Sequence, residues 1–392
     1  MMASEKPQNI MSQNCCLNDK ITVGVSTSSI EPSRNNGIVD GMGHYTDQLI
    51  RQLKSEAYNV KGYAFPRFMQ KEDFKQSISL KLPFTAHALM SILTAGKLYN
   101  LNPSVDIFHS TDFKIVPMKC PVVATIWDAI PMVHPEWFPG SLRQRMAPWI
   151  FKGVSKFADR IIAVSEYAAK DISHYFGVPE ARIDVIPWAV DDQWFEPIGN
   201  DFIDDTLKKY SLKSGYVLSV GTLQPRKNYD RLIDAYMRLP KRIIENHNLV
   251  IVGKYGWNSE NLIKKINRFS PKGNVTWLPS VNSDEELRAI YRRAKVFAFP
   301  SLYEGFGVPV LEAFASNVPV VTSNTTSIPE VSNGAAIEID PYSIDEICDA
   351  IYGLLSDDDA RSQLITKGSK RVEQLRWKNT LAKTVEIYQK LI

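Results

Sequence analysis

Two glutamates eight residues apart, Glu304 and Glu312, bracket the run Gly305-Phe306-Gly307-Val308-Pro309. The run follows an apolar strand-like segment, Val296–Phe299, and opens a helical pattern over Val308–Ser316. Gly305 and Gly307 allow a sharp turn and a close approach of backbone to ligand, and Pro309 suits the first turn of a helix. The amides of Phe306, Gly307, Val308 and Val310 then stand at a helix N-terminus, which favours an anion. A phosphate ringed by amides and flanked by carboxylates suits a ligand that also carries hydroxyls. Because carboxylates bond well to vicinal diols, a sugar nucleotide would set its ribose on one glutamate and its hexose on the other. The structural alternative is that Glu304 caps the helix and Glu312 is a solvated surface residue.

A second constellation, Gly221-Thr222-Leu223-Gln224-Pro225-Arg226-Lys227-Asn228, follows the strand-like run Tyr216–Val220. A diphosphate leaving group gains charge as its glycosidic bond breaks, so a site without a metal must meet it with cations and dipoles. Arg226 can grip two phosphate oxygens in a fork, whereas Lys227 acts as a mobile point charge. An Arg-Lys pair elsewhere is usually solvated surface; here it ends a buried strand after Gly-x-x-x-Pro. Thr125-Ile126-Trp127-Asp128 likewise ends a buried run, where Asp128 suits either a sugar hydroxyl or the cap of the next turn. His109 ends another such run and faces the crevice or packs as a structural residue. The loop Gly37–Tyr45 lacks the spacing of a dinucleotide fingerprint and the acidic residue expected about 20 positions on, which disfavours an NAD enzyme.

These residues need a scaffold that brings strand ends together. From Lys20 short β-branched runs alternate with helical patterns: Ile21–Val25, Asp106–His109, Val122–Ile126 and Arg160–Val164, with a helix over His44–Ser55. The runs do not alternate polar with apolar, as expected of parallel strands covered on both faces. The pattern lapses across Asp191–Asp205 and restarts with Tyr216–Val220, Leu249–Val252, Val275–Leu278, Val296–Phe299 and Val318–Val321. The expected organisation is a tail over 1–19, one α/β domain over 20–195, a linker over 196–210, a second α/β domain over 211–375, and a last helix over 376–392 crossing back to the first domain. Tandem α/β domains put a crevice at the carboxyl ends of both sheets.

Composition agrees with a globular protein of two domains. The chain has 392 residues, 44% hydrophobic and 23% charged, with a net charge of +3. Neither half is strongly basic, which argues against a nucleic-acid partner. The four cysteines lack metal-ligand or disulfide spacing, so a reducing, cytoplasmic setting is expected. No run reaches the roughly 20 apolar residues of a membrane helix.

Glu304–Glu312 resembles the E-x7-E motif of family 4 of the retaining glycosyltransferases, which have the GT-B fold of two facing Rossmann-like domains. The flanks Phe299-Pro300-Ser301 and Ala313–Val321 are equally similar, and the likeness, which is to enzymes of the bacterial polysaccharide and O-antigen mannosyltransferase kind, runs from about Gly37 to the final helix. The resemblance implies that Glu312 binds the donor ribose and Glu304 the donor hexose, that Lys227 is the phosphate-binding lysine with Arg226 beside it, and that the amides around Gly41 and Gly43 approach the donor phosphates from the other domain. It also implies an interdomain active site, retention of configuration, no metal and no cofactor beyond a GDP- or UDP-sugar, and a glycan or polyprenyl-linked glycan acceptor. Two departures stand out: Trp127 occupies the place of the histidine in T-[IF]-H-D, and Trp188 that of the asparagine in I-P-N-G-V. Basic and aromatic residues over Lys61–Phe84 and Phe138–Trp149 suggest peripheral contact with the inner face of a membrane. A sugar-nucleotide epimerase and a non-catalytic nucleotide-sugar sensor are the rival readings on the same architecture.

Overall fold

The computed structural model describes residues 20–32, 39–67, 74, 77–97, 101–138 and 142–392, with backbone alone at 142–147 and 272. The tail over 1–19 and residues 37–38 of the glycine loop lie outside the described residues.

The first domain carries a parallel sheet in the order β3-β2-β1-β4-β5-β6-β7. Its strands are β1 (Thr22–Ser26), β2 (Asn59–Ala64), β3 (Ile78–Ser79), β4 (Ile107–Ser110), β5 (Val122–Ile126), β6 (Arg160–Ala163) and β7 (Ile183–Val185). Val122–Ile126 and Ile107–Ser110 are buried along their whole length, which explains why their sequences are apolar without alternation. The second domain repeats the plan in the order β10-β9-β8-β11-β12-β13. Here β8 is Tyr216–Val220, β9 Leu249–Val252, β10 Val275–Leu278, β11 Ala294–Phe299, β12 Val320–Ser323 and β13 Ile337–Ile339. In each sheet the chain winds outward in one direction, then returns beside its first strand. These reversals, between β1 and β4 and between β8 and β11, are where such sheets open a ligand crevice.

The segment expected to be a linker is helical over Asn200–Lys209. Ile203, Thr206 and Leu207 are buried on one stripe, Asp201 sits in the first turn, and Lys208 and Lys209 in the last. That arrangement suits the helix dipole. The helix packs on Asp284–Arg292, where Tyr210 Oη donates to Glu286 at 2.7 Å. The strands β2, β3, β7 and β13, absent from the sequence reading, are outer or edge strands with weaker apolar signals.

The last helix, Trp377–Leu391, packs against the first domain's helix Gly41–Ser55. Trp377 meets Tyr45 with ring centroids 5.2 Å apart, and Thr380 Oγ1 donates to Pro187 O at 2.9 Å. The chain therefore crosses between domains twice. The crossings touch where Val190 N donates to Leu375 O at 3.3 Å.

Candidate active site

The carboxyl ends of both sheets converge on an interdomain cavity of about 670 Å³. Glu304, Glu312, Lys227, Arg226, Asp128, Trp127, Gly41, Gly305, Phe306, Gly307 and Val308 all line it. Gly43 does not.

The second-domain wall is built on the loop after β11. Gly307 has φ +117°, a left-handed conformation that suits glycine, and starts the helix Val308–Ala315 with Pro309 in its first turn. No side chain caps this helix. Val310 N–H turns back onto Gly307 O at 3.0 Å, which removes it from the amides expected to meet an anion and leaves Phe306, Gly307 and Val308. Glu304 does not cap the helix. Its Oε1 accepts from Lys227 Nζ at 2.7 Å, and its Oε2 accepts from Arg226 Nη1 at 2.5 Å. Burial would raise the Glu304 carboxyl, but the two cations outweigh it and hold it below its ordinary range. Burial, followed by repulsion from Arg226, brings Lys227 down to about 8 against the pull of Glu304.

Glu312 faces the same cavity one helical turn on, and Tyr291 Oη donates to its Oε2 at 2.9 Å. Burial raises this carboxyl to about 7, with the charge of Asp284 adding to the effect. The two glutamates thus differ sharply: one is an ion-paired carboxylate, the other a carboxyl poised near neutrality. Tyr291 and Asp284 carry no sequence signal that sets them apart from other residues of an amphipathic helix.

On the first-domain side, Gly41 begins the helix Gly41–Ser55 beside Trp188, whose Cη2 lies 3.3 Å from where a Gly41 Cβ would stand. Gly43 departs from its expected part. Its amide donates to Asp40 Oδ1 at 2.9 Å, capping the helix, and a Cβ there would lie 2.3 Å from Val39 Cγ1. Close packing and capping account for this glycine.

Trp127 is almost wholly buried, its Nε1 donating to Thr111 O at 2.9 Å. Its ring packs on Tyr45 at 4.7 Å and Trp188 at 4.8 Å, so both added tryptophans belong to one aromatic cluster at the cavity floor. Asp128 caps the next turn through Ile130 N at 3.0 Å and also lines the cavity. Burial raises it to about 6 despite the nearby Arg226. His109 is a packed structural residue, bonded through Nδ1 to Tyr388 Oη at 2.6 Å and through Nε2 to Thr125 Oγ1 at 2.8 Å.

The cavity walls touch. A Cβ on Gly305 would lie 2.1 Å from Trp127 O, so only glycine permits this approach of the domains. Among the described residues, no group of three or more His, Cys, Asp or Glu is placed to hold a metal ion.

Residues 39–194 match the model of Glycosyltransferase Family 4, and residues 204–371 that of Glycosyl transferases group 1. The O-antigen chain mannosyltransferase B of Escherichia coli is 30% identical over 90% of this chain and 96% of its own length. The chain is a family 4 glycosyltransferase. It also resembles the longer serotype-specific mannosyltransferase WbdA of Escherichia coli, 28% identical over 71% of this chain and 34% of that protein. Among solved structures, Anabaena HepE in complex with UDP and glucose superposes with a TM-score of 0.70 at 15% identity, covering 95% of this glycosyltransferase and all of that chain. That likeness establishes a shared GT-B fold.

Proposed function

We propose that this glycosyltransferase moves mannose from a nucleotide diphosphate sugar to a glycan or polyprenyl-linked glycan, with retention of anomeric configuration and without a metal. The observation that carries the reading is the bridging of Glu304 to both Arg226 and Lys227 beside an uncapped helix start, with Glu312 in the same cavity. In this reading the diphosphate sits between the two cations and the amides of Phe306, Gly307 and Val308. Glu304 exchanges part of its ion pairing for hexose hydroxyls, and Glu312 takes the ribose diol. The choice of mannose follows the two relatives, both mannosyltransferases by name.

As the bond from the anomeric carbon to the phosphate oxygen breaks, Lys227 and Arg226 take up the charge developing on the leaving group. The acceptor oxygen bonds to the same face of the carbon, and its proton passes to the departing phosphate oxygen. The Trp127 carbonyl, held against Gly305, is a dipole beside the positive charge that develops on the sugar. Trp127 offers no imidazole for that purpose.

Thermal stabilisation by a panel of GDP- and UDP-sugars tests the donor, since a bound ligand raises stability by mass action. GDP-mannose should stabilise the protein more than GDP alone or UDP-glucose. Proton NMR of the product then reads the anomeric configuration, and an inverted product overturns the retaining mechanism. Peripheral membrane contact at the cytoplasmic face is part of the proposal. Trp149, 52% exposed, is its described anchor, while the basic side chains of 142–147 lie outside the described residues. Sedimentation with anionic vesicles at low and high salt tests it, and failure to bind at low salt removes it.

A further inference from the structure

The residues flanking Glu304 are tied to one short helix of the opposite domain, Glu166–Asp171. On one side, Tyr303 Oη donates to Asp171 Oδ2 at 2.5 Å. On the other, Gly305 O accepts from Ser165 Oγ at 2.7 Å, and the same Ser165 Oγ caps the helix through Ala168 N. A third tie comes from Glu330, whose carboxylate accepts from the first amides of that helix, Glu166 N at 3.1 Å and Tyr167 N at 3.4 Å. Ser327, three residues before Glu330, donates to both Glu304 O and Phe306 O. Two of the ties thus land on the residues either side of Glu304, and the third on the segment whose Ser327 holds the Glu304 and Phe306 carbonyls.

We propose that Asp171 is a positioning residue for glycosyl transfer: through Tyr303 it locks the Glu304 loop into place only when the two domains close. The bond joins groups 132 positions apart in sequence, one on each domain, so it breaks on opening. Tyr303 is 1% exposed, and its hydroxyl bonds a carboxylate, the stronger class of hydrogen bond. A loop held on both sides of one residue fixes that residue's Cα, and so fixes where the Glu304 carboxylate meets Arg226, Lys227 and the hexose. Closure and assembly of the second-domain site become one event. The inference rests on the proposed contact of Glu304 with the donor.

The test is a double-mutant cycle with Asp171→Asn, Tyr303→Phe and the pair, reading nucleotide release from donor with a mannose-terminated oligosaccharide as acceptor. Each single variant should lower kcat by about 10–100-fold, the scale of one charged hydrogen bond. Kd for the free nucleotide, whose proposed glutamate, cation and amide contacts all lie on the second domain, should change less than about threefold. The double variant should be no worse than the worse single one. Multiplicative losses, or equal losses in kcat and nucleotide affinity, overturn the inference. Amide hydrogen exchange over Tyr303–Gly307 in the free protein gives a reading independent of turnover. Exchange should quicken in Asp171→Asn, and an unchanged rate overturns the inference even if the donor proves to be different. Wild-type protein that releases nucleotide from no GDP- or UDP-sugar, with faster loop exchange in Asp171→Asn, instead refutes the proposed donor chemistry and leaves the lock standing.

Discussion

Lys227 Nζ and Glu304 Oε1 are 2.7 Å apart, both side chains buried, with Arg226 on the other oxygen of the same carboxylate. The glutamate is the internal counter-ion of both cations. In the proposed mechanism an arriving diphosphate would compete for the same cations, so donor binding would be an exchange of partners rather than occupation of bare positive charge. Leaving those cations buried without a carboxylate would be costly.

Removing Lys227 should therefore affect chemistry more than binding. Lys227→Met is expected to lower kcat by about 10²–10³, the scale seen when one charge-stabilising group is deleted. Steady-state kinetics measures it; a loss confined to KM would show that the lysine contributes only uniform binding.

The same lysine predicts an alkaline limb. A cation brought down to about 8 is charged at neutrality and loses its proton as pH rises through that value. The profile of kcat/KM, which reports the free enzyme, should fall above about pH 8. In Lys227→Arg that limb should move upward, since guanidinium keeps its charge.

Glu312 predicts proton release. Its folded carboxyl is raised to about 7, so in the free protein it favours the protonated form, and any stability this lends is lost as pH rises through that value. A ribose diol donates best to the carboxylate. Nucleotide affinity should accordingly rise between pH 6 and 8, and calorimetry at pH 7 in buffers of different ionisation enthalpy should detect proton release. Both effects should vanish in Glu312→Gln, and Glu312→Ala should mainly weaken nucleotide binding.

Gly305 predicts a variant that binds donor but transfers poorly. Its Cβ would stand 2.1 Å from Trp127 O, so Gly305→Ala holds the domains apart. Misplacement on the scale of 1 Å costs about 10²-fold in rate. Transfer should drop by about that factor while nucleotide still stabilises the protein thermally.

The strands β8, β9 and β11 were legible because buried parallel strands are written as short runs dominated by Val, Leu, Ile and Phe. The donor side of the site was legible for a related reason: Gly305, Gly307 and Pro309 are residues that a turn into a helix demands, and they mark where Glu304 must sit. Cross-domain relationships were not. Nothing in Asp171 or Ser165 announces a partner more than 130 positions away, and Trp127 reads as a substitution until its indole is seen bonded to Thr111 O. Gly43 shows the limit of glycine as a marker, since capping by Asp40 explains it without any ligand. The helix Asn200–Lys209 has Ile203 and Leu207 on one stripe and charged ends, but the acidic, Pro- and Gly-containing run Asp191–Asp205 that leads into it lacks periodicity and reads as linker.

The bond between His109 and Tyr388 has a practical corollary. Tyr388 belongs to the last helix, yet it completes the core beneath β4 of the first domain. Burial brings His109 down to about 3, so its neutral form is what the core accepts. The first domain is thus discontinuous in sequence, and a fragment ending near residue 195 would expose an aromatic seam where Trp377 and Tyr388 belong. Dissecting this protein into independently expressed halves calls for a circular permutant that joins residues 376–392 to the front of the chain.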